Sequence, residues 1–209
     1  MITTQTVLIP GWALPASLFR IRFPDAIVLD TATTDPSDTI RHLRQLGHRV
    51  HLIGVSLGGY RGLRWVLQNP EEIHRLTLVG ICPGFDHVAL DPMRIELDAD
   101  PVRFLEGFYR QCIFPRRVYR QVEAVLKEAL PRMVGLACDT FDTLYDYHIT
   151  AQDLCVAGAR LVHGQHDPVA LLAQTVPLAQ SAGVSLQIIA DSGHIPFFNP
   201  GYENESETC

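Results

Sequence analysis

The sequence predicts an α/β protein: a mostly parallel, doubly wound sheet with a helical insertion. Three observations predict it. Short apolar runs recur at 6–9, 26–29, 50–55, 76–79, 159–162 and 186–189. Several are near-continuous rather than alternating, as in strands covered on both faces. Helical patterns lie between them, and strand–helix alternation is the signature of a parallel sheet.

Taken in order, run 6–9 is a first strand that leads into a turn at Gly11. Run 26–29 is the second strand. A helix over 37–46 follows, with Ser37 as its N-cap and Gly47 as its stop. Run 50–55 is the third strand, and the helix after it covers 57–68, ending before Asn69-Pro70. Run 76–79 is the fourth strand. From 91 to 150 no strand pattern occurs, only helical ones at 102–112, 117–130 and 133–145, with Pro101, Pro115 and Pro131 near their starts. Such an insertion can cover the carboxyl ends of the strands, where open α/β sheets bind ligands. Run 159–162, a helix over 171–182 stopping at Gly183, and run 186–189 complete the sheet. The expected organisation is a core of 1–90 and 151–200, an insertion of 91–150 and a loose, polar and acidic tail of 201–209.

With 209 residues, 47% hydrophobic and 19% charged, the chain has the composition of one globular domain. A net charge of −6 argues against nucleic acid as a partner, because phosphate neutralisation needs a basic field. The five cysteines, Cys82, Cys112, Cys138, Cys155 and Cys209, are odd in number and form no C-x-x-C pair, as in reduced intracellular thiols. The amino terminus has neither the basic segment nor the apolar run of a signal peptide, and no stretch approaches the ~20 apolar residues of a membrane span. A monomeric cytoplasmic protein without membrane contact is the expectation.

The chemistry is carried by Gly54-Val55-Ser56-Leu57-Gly58, placed at the end of a strand and the start of a helix. G-x-S-x-G in that context is the nucleophile elbow. The serine sits on a sharp turn, and its neighbours pass too close to carry side chains. Ser56 is the expected nucleophile. His194, in ADSGHIPFFNP just after the last strand, is the expected general base, and Asp191-Ser192-Gly193 can make its turn. Asp167, in HGQHDPVA after the preceding strand, is the expected acid that fixes the imidazole tautomer. An oxyanion hole needs two backbone N–H groups. Leu57 and Trp12, the latter in the Gly11 turn, are the expected donors. His163-x-x-His166-Asp167 also has the look of a metal site, but its ligands would crowd one loop and no further cluster completes a sphere. No metal and no cofactor are expected.

With these residues in place the chain resembles the α/β-hydrolase superfamily over nearly its whole length. Within it, IPGWAL, GVSLGGYRGLRWVLQNPEEIHRLTLVG, ICPGFD, RFLEGFYRQCIFP, LYDYHITAQDL, HGQHDPVA and ADSGHIPFFNP resemble the pimeloyl-acyl-carrier-protein methyl ester esterases of biotin synthesis. The resemblance implies an α/β-hydrolase fold with a helical lid. It also implies cleavage of a methyl ester at the distal end of a carrier-bound acyl chain. Other activities on the same fold are a short-chain carboxylesterase and a carbon–carbon lyase of the menaquinone-pathway type. The family's usual His-Gly is Pro10-Gly11 here, and no counterpart of its early antiparallel strands or of its final helix is expected within these residues. Residues 101–132 hold seven basic side chains against three acidic ones, a net of +4 in an acidic chain. Arg116, Arg117 and Arg120 are the expected dock for an acidic acyl-carrier protein, because the guanidinium fork suits carboxylate and phosphate.

Overall fold

The computed structural model describes residues 3–202. Six strands form one all-parallel sheet: β1 (Thr4–Ile9), β2 (Ile27–Val28), β3 (Arg49–Val55), β4 (Arg75–Val79), β5 (Arg160–Gly164) and β6 (Leu186–Ile189). Their order is β2-β1-β3-β4-β5-β6. Every apolar run expected as a strand is one, although β2 keeps only two paired residues at the sheet edge. The strand order reverses between β1 and β3, and the crevice beyond their carboxyl ends is where such sheets take ligands. The chain leaves β1 into the Pro10–Leu14 turn and leaves β3 at Ser56, so both segments meet at that crevice.

Helices α1 (Ala16–Arg22), α2 (Ser37–Gln45) and α3 (Leu57–Gln68) lie between the first four strands. Ser37 is not the N-cap expected of it. Pro36 holds that place, and the Ser37 hydroxyl donates to Asp35 Oδ1 at 2.6 Å and accepts from the Trp65 indole at 2.8 Å. Gly47 and Gly183 follow α2 and α8 (Leu172–Ala182) as expected.

The insertion differs more from its expectation. Its first helix, α4 (His87–Ala99), starts before residue 91, capped by Asp86, whose side chain accepts from the Val88 amide. Next comes α5 (Pro101–Cys112), with Pro101 in its first turn and Asp100 as cap. The two helices expected at 117–130 and 133–145 are one, α6 (Arg116–Thr140), running through Pro131. The reason is a buried stripe that does not break there: Val122, Leu126, Leu130, Met133 and Ala137 recur at helical spacing. A short α7 (Ala151–Val156) leads back to β5, closed by a reciprocal Thr150–Asp153 capping box.

On one face the amino-terminal half of the sheet is polar. His51 Nε2 lies 2.8 Å from Thr77 Oγ1, and Arg160 donates to Gln187 at 2.7 Å. Toward the carboxyl ends the core becomes apolar and continues into the insertion, where the Trp12 ring meets Phe108 and Phe141 edge-on at 5.4 Å each. Of the expected loose tail, Tyr202 is instead buried, its ring 4.9 Å from Phe197, because this aromatic pair closes the core beside Phe23. Residues 203–209 lie outside the described residues, as does Cys209; the other four cysteines are free thiols. Among the described residues no helix is long and apolar enough to cross a membrane.

Candidate active site

Ser56 stands between β3 and α3 with φ 51° and ψ −119°, a strained conformation for a residue with a side chain. Backbone bonds hold it there: its amide donates to Val79 on β4 at 2.8 Å, and its carbonyl accepts from Tyr60 at 3.1 Å. Glycine at two neighbours is a steric need. A Cβ on Gly58 would collide with the Pro10 carbonyl oxygen, and one on Gly11 would lie 3.2 Å from the Ser56 Cβ. The β1 turn therefore lies directly against the elbow. Leu57 opens α3, where the first amides have no intrahelical partner. Trp12 lies inside the turn closed by the Leu14 amide on the Gly11 carbonyl at 3.2 Å. The two amides expected to form an oxyanion hole thus belong to adjoining segments. The turn is also tied to the insertion, since the Tyr109 hydroxyl on α5 donates to the Ala13 carbonyl at 2.9 Å.

Asp167 and His194 meet as expected. Nδ1 of His194 lies 2.7 Å from Oδ2 of Asp167, and both side chains are buried. The other carboxylate oxygen, Oδ1, accepts from the amides of Val169 at 2.8 Å and Ala170 at 3.0 Å. Burial pushes the Asp167 carboxyl up, but the facing His194, then His163 and the Ala170 amide, outweigh it and hold it below the usual carboxylate value. An ionised carboxylate can only accept, so Nδ1 of His194 carries a proton, and in the neutral imidazole Nε2 is then the nitrogen with the lone pair. That Nε2 is buried and makes no hydrogen bond among the described residues, so it does not bond to the Ser56 hydroxyl in this arrangement. Catalytic bonds of this kind often close only with substrate bound.

The histidine loop is held from both ends. Asp191 turns it with φ 50°, its carbonyl accepts from the Asn199 amide group at 2.7 Å, and the Ile195 amide donates to Cys112 at 3.0 Å. Gly80, beyond β4, has φ +60°, and a Cβ there would lie 2.8 Å from His194 Nδ1. The role of Gly80 and the Tyr109 tether have no local sequence signal; both arise from contacts between distant segments.

The histidines of the rejected metal reading take separate partners. Nε2 of His163 lies 2.7 Å from the Ala170 carbonyl, while His166 packs edge-on against Phe114 at 5.3 Å. Among the described residues no group of three His, Cys, Asp or Glu side chains could hold a metal ion. Burial pushes the Cys82 thiol up to about 12, which leaves it inert at neutral pH. Arg116, Arg117 and Arg120 are exposed on the first turns of α6.

Above Ser56 is a cavity of about 180 Å³, walled by Trp12, Phe85, Met93, Phe108 and Leu144, with Gln111 as a polar group. The arrangement supplies a serine hydroxyl on a strained turn, an oriented imidazole, two backbone amides on adjoining segments and an apolar chamber. This set can open an acyl bond by nucleophilic attack.

Comparison with solved structures finds the same fold at low identity. An esterase from Exiguobacterium antarcticum superposes with TM-score 0.70 at 20% identity, over 93% of this chain and 86% of its own. A hydrolase from Oleispira antarctica gives 0.74 at 13%, over 96% and 87%. An enol-lactonase from Burkholderia xenovorans gives 0.65 at 17%, over 93% and 85%. No curated protein matches the sequence. The sequence pattern of the alpha/beta hydrolase family matches residues 6–203, nearly the whole chain. With its fold, this match makes the chain a member of the alpha/beta hydrolase family and a hydrolase.

Proposed function

We propose that this hydrolase is a serine carboxylesterase that removes the methyl ester from a pimeloyl-acyl-carrier-protein-type substrate of biotin synthesis, in the cytoplasm. The observation that carries the ester reading is the cavity over Ser56: largely apolar, without a basic side chain in its wall, and bounded by Pro168 and Val169 of the turn that follows Asp167. Its volume is about 180 Å³, and Gln111 is the one polar side chain in its wall besides Ser56. That suits an uncharged ester group and the first part of its chain. The narrower assignment to a pimeloyl ester is supported by the resemblance of the insertion.

Ser56 Oγ attacks the ester carbonyl carbon while Nε2 of His194 takes its proton. The negative charge on the carbonyl oxygen meets the amides of Trp12 and Leu57. The tetrahedral adduct collapses, His194 returns the proton to the departing methoxide, and methanol leaves an acyl group on Ser56. Water, deprotonated by His194, then releases the carboxylic acid and restores the serine. Asp167 stabilises the imidazolium in both halves. An acyl-carrier protein docks on Arg116, Arg117 and Arg120 and presents the ester.

A general short-chain carboxylesterase fits the cavity equally, and the two share the chemistry above. A carbon–carbon lyase acting on a multiply charged acid fits less well, since no arginine lines the chamber. The first test is covalent labelling by a fluorophosphonate, lost in Ser56→Ala, together with turnover of p-nitrophenyl esters; an unlabelled Ser56 overturns the serine-hydrolase mechanism. Growth rescue of a biotin-requiring strain lacking its esterase then separates the pimeloyl substrate from short-chain esters in general.

A further inference from the structure

The turn that carries the Trp12 amide is held in a conformation that its sequence disfavours. The Leu14 amide donates to the Gly11 carbonyl at 3.2 Å, so residues 11–14 form one tight turn with Trp12 and Ala13 at its centre. Of these four residues only Ala13 has a positive φ, at 54°. A hydrogen-bonded turn with positive φ at its third residue alone is of type II, where glycine or asparagine is the usual occupant. The alanine Cβ crowds the following carbonyl oxygen in that region. Both ends of the turn are packed. An added Cβ on Gly11 would lie 3.2 Å from the Ser56 Cβ and 3.3 Å from the Val55 carbonyl oxygen, and Leu14 is buried. One side chain from outside the turn counters the strain. The Tyr109 hydroxyl on α5 donates to the carbonyl of Ala13 itself at 2.9 Å, and both residues are buried, so water does not replace the bond. Burial pushes the Tyr109 phenol up, which keeps it a donor at neutral pH. Tyr109 is fixed in its own place. Three residues further along α5, the Cys112 carbonyl accepts from the Ile195 amide at 3.0 Å, next to His194. Positions 109 and 112 share one face of the helix, so α5 spaces the turn from the histidine loop.

We propose that Tyr109 is a positioning residue for the oxyanion hole: its hydroxyl holds Ala13 in the left-handed conformation that keeps the Trp12 amide in place against Ser56. Without that bond Ala13 relaxes toward negative φ. Because both ends of the turn are packed, the change is taken up at Trp12: its ψ rotates, the Trp12–Ala13 peptide turns over, and the Trp12 amide shifts from the place where the carbonyl oxygen becomes charged. The effect falls on the transition state rather than on bound ester, since the amide is needed most once that oxygen is charged. Tyr109 does this without meeting substrate. It does not line the chamber, although its neighbour Phe108 does.

This role rests on the serine-hydrolase reading, and two measurements keep them apart. The first is turnover of a p-nitrophenyl ester by Tyr109→Phe, which keeps the ring and removes only the bond. Acylation and deacylation both use the hole, so kcat falls about tenfold or more while KM stays within about twofold. In an Ala13→Gly background the same substitution lowers kcat less than about threefold, because glycine takes positive φ without a Cβ clash. A role confined to stability lowers the melting temperature in both backgrounds and moves kcat in neither. Equal losses of kcat in the two backgrounds, or a loss that lies in KM, overturn the proposal. The second measurement is the rate at which a fluorophosphonate labels Ser56, which draws on the same hole and needs no ester turnover. That rate falls about tenfold or more in Tyr109→Phe and recovers when Ala13→Gly is added. Labelling of Tyr109→Phe at the wild-type rate removes the positioning role and leaves the serine nucleophile standing, whereas no labelling of wild type removes both. If Tyr109→Phe does not fold, Ala13→Val takes its place, since a β-branched side chain resists positive φ. Labelling then slows with the Tyr109 hydroxyl still present, and an undiminished rate overturns the proposal.

Discussion

His163 Nε2 lies 3.4 Å from Oδ2 of Asp167, the same oxygen that accepts from His194 at 2.7 Å. A carbonyl can only accept, so the 2.7 Å contact with Ala170 puts the His163 proton on Nε2. His163 thereby pins the 167–170 turn whose amides hold Asp167. His163→Leu removes that donor and leaves a buried carbonyl unpaired, a loss of about 1–3 kcal/mol. Denaturant unfolding measures that loss. Turnover of a small ester falls several-fold, chiefly in kcat; full stability in the variant contradicts the pinning role.

Ser56→Ala and Asp167→Asn test the proposed chemistry separately. The alanine change removes only an oxygen, so the melting temperature stays close to wild type while kcat falls by at least about 10³. The asparagine change can present an N–H to His194 and favours the wrong tautomer, a drop of about 10³–10⁴. Retention of more than a few per cent of activity by Ser56→Ala assigns the attack to another group.

His51 makes stability depend on pH. Burial, then the charges of Arg75, Arg160 and His74, lowers its pKa from 6.5 to about 4. Below pH 6.5 the unfolded chain takes up a proton that folded His51 refuses. Its contribution is complete above that pH, shrinks as pH falls, and is gone below about 4. At pH 5 the loss is at most about 2 kcal/mol. His51→Gln keeps a partner for Thr77 and carries no titrating group. Its unfolding free energy therefore declines less between pH 7 and 5 than that of wild type, and equal declines remove His51 as the cause.

Reversal of Arg116, Arg117 and Arg120 to glutamate tests carrier docking. The carrier-bound ester loses kcat/KM strongly at low salt, and the loss narrows as salt screens the encounter. A small soluble ester barely responds. Equal losses on both would mean damage to the lid, and no loss on either ends the docking proposal.

The strands and the elbow were legible because local physics sets them. Runs such as 50–55 are short and apolar through both faces, and Gly54-x-Ser56-x-Gly58 answers a steric demand within five residues. Helix α6 was misread as two because Pro131 disrupts a helix locally by about 3 kcal/mol. The buried stripe from Val122 to Ala137 outweighs that only in the folded chain. Helix α1 gave no signal: it has seven residues, follows a proline that caps nothing, and has no acid in its first turn. For α7, the Thr150–Asp153 capping box is a local pattern that the sequence reading passes over, because six residues hold too little periodicity to mark a helix after it. The tie from Tyr109 to Ala13 spans 96 positions, and no local pattern encodes it.

Trp12 joins two jobs in one residue. Its ring is gripped by Phe108 and Phe141 of the insertion, its amide lies in the turn against Ser56, and Tyr109 of α5 holds the next carbonyl. Any swing of α5 away from the sheet must drop the Phe108 contact and the tyrosine bond together, and it strains the segment that carries the amide. Opening for entry and readiness at Ser56 are thus linked equilibria, set against each other by the same few contacts. A ligand that holds α5 down favours the ordered turn in proportion to its preference for the closed form.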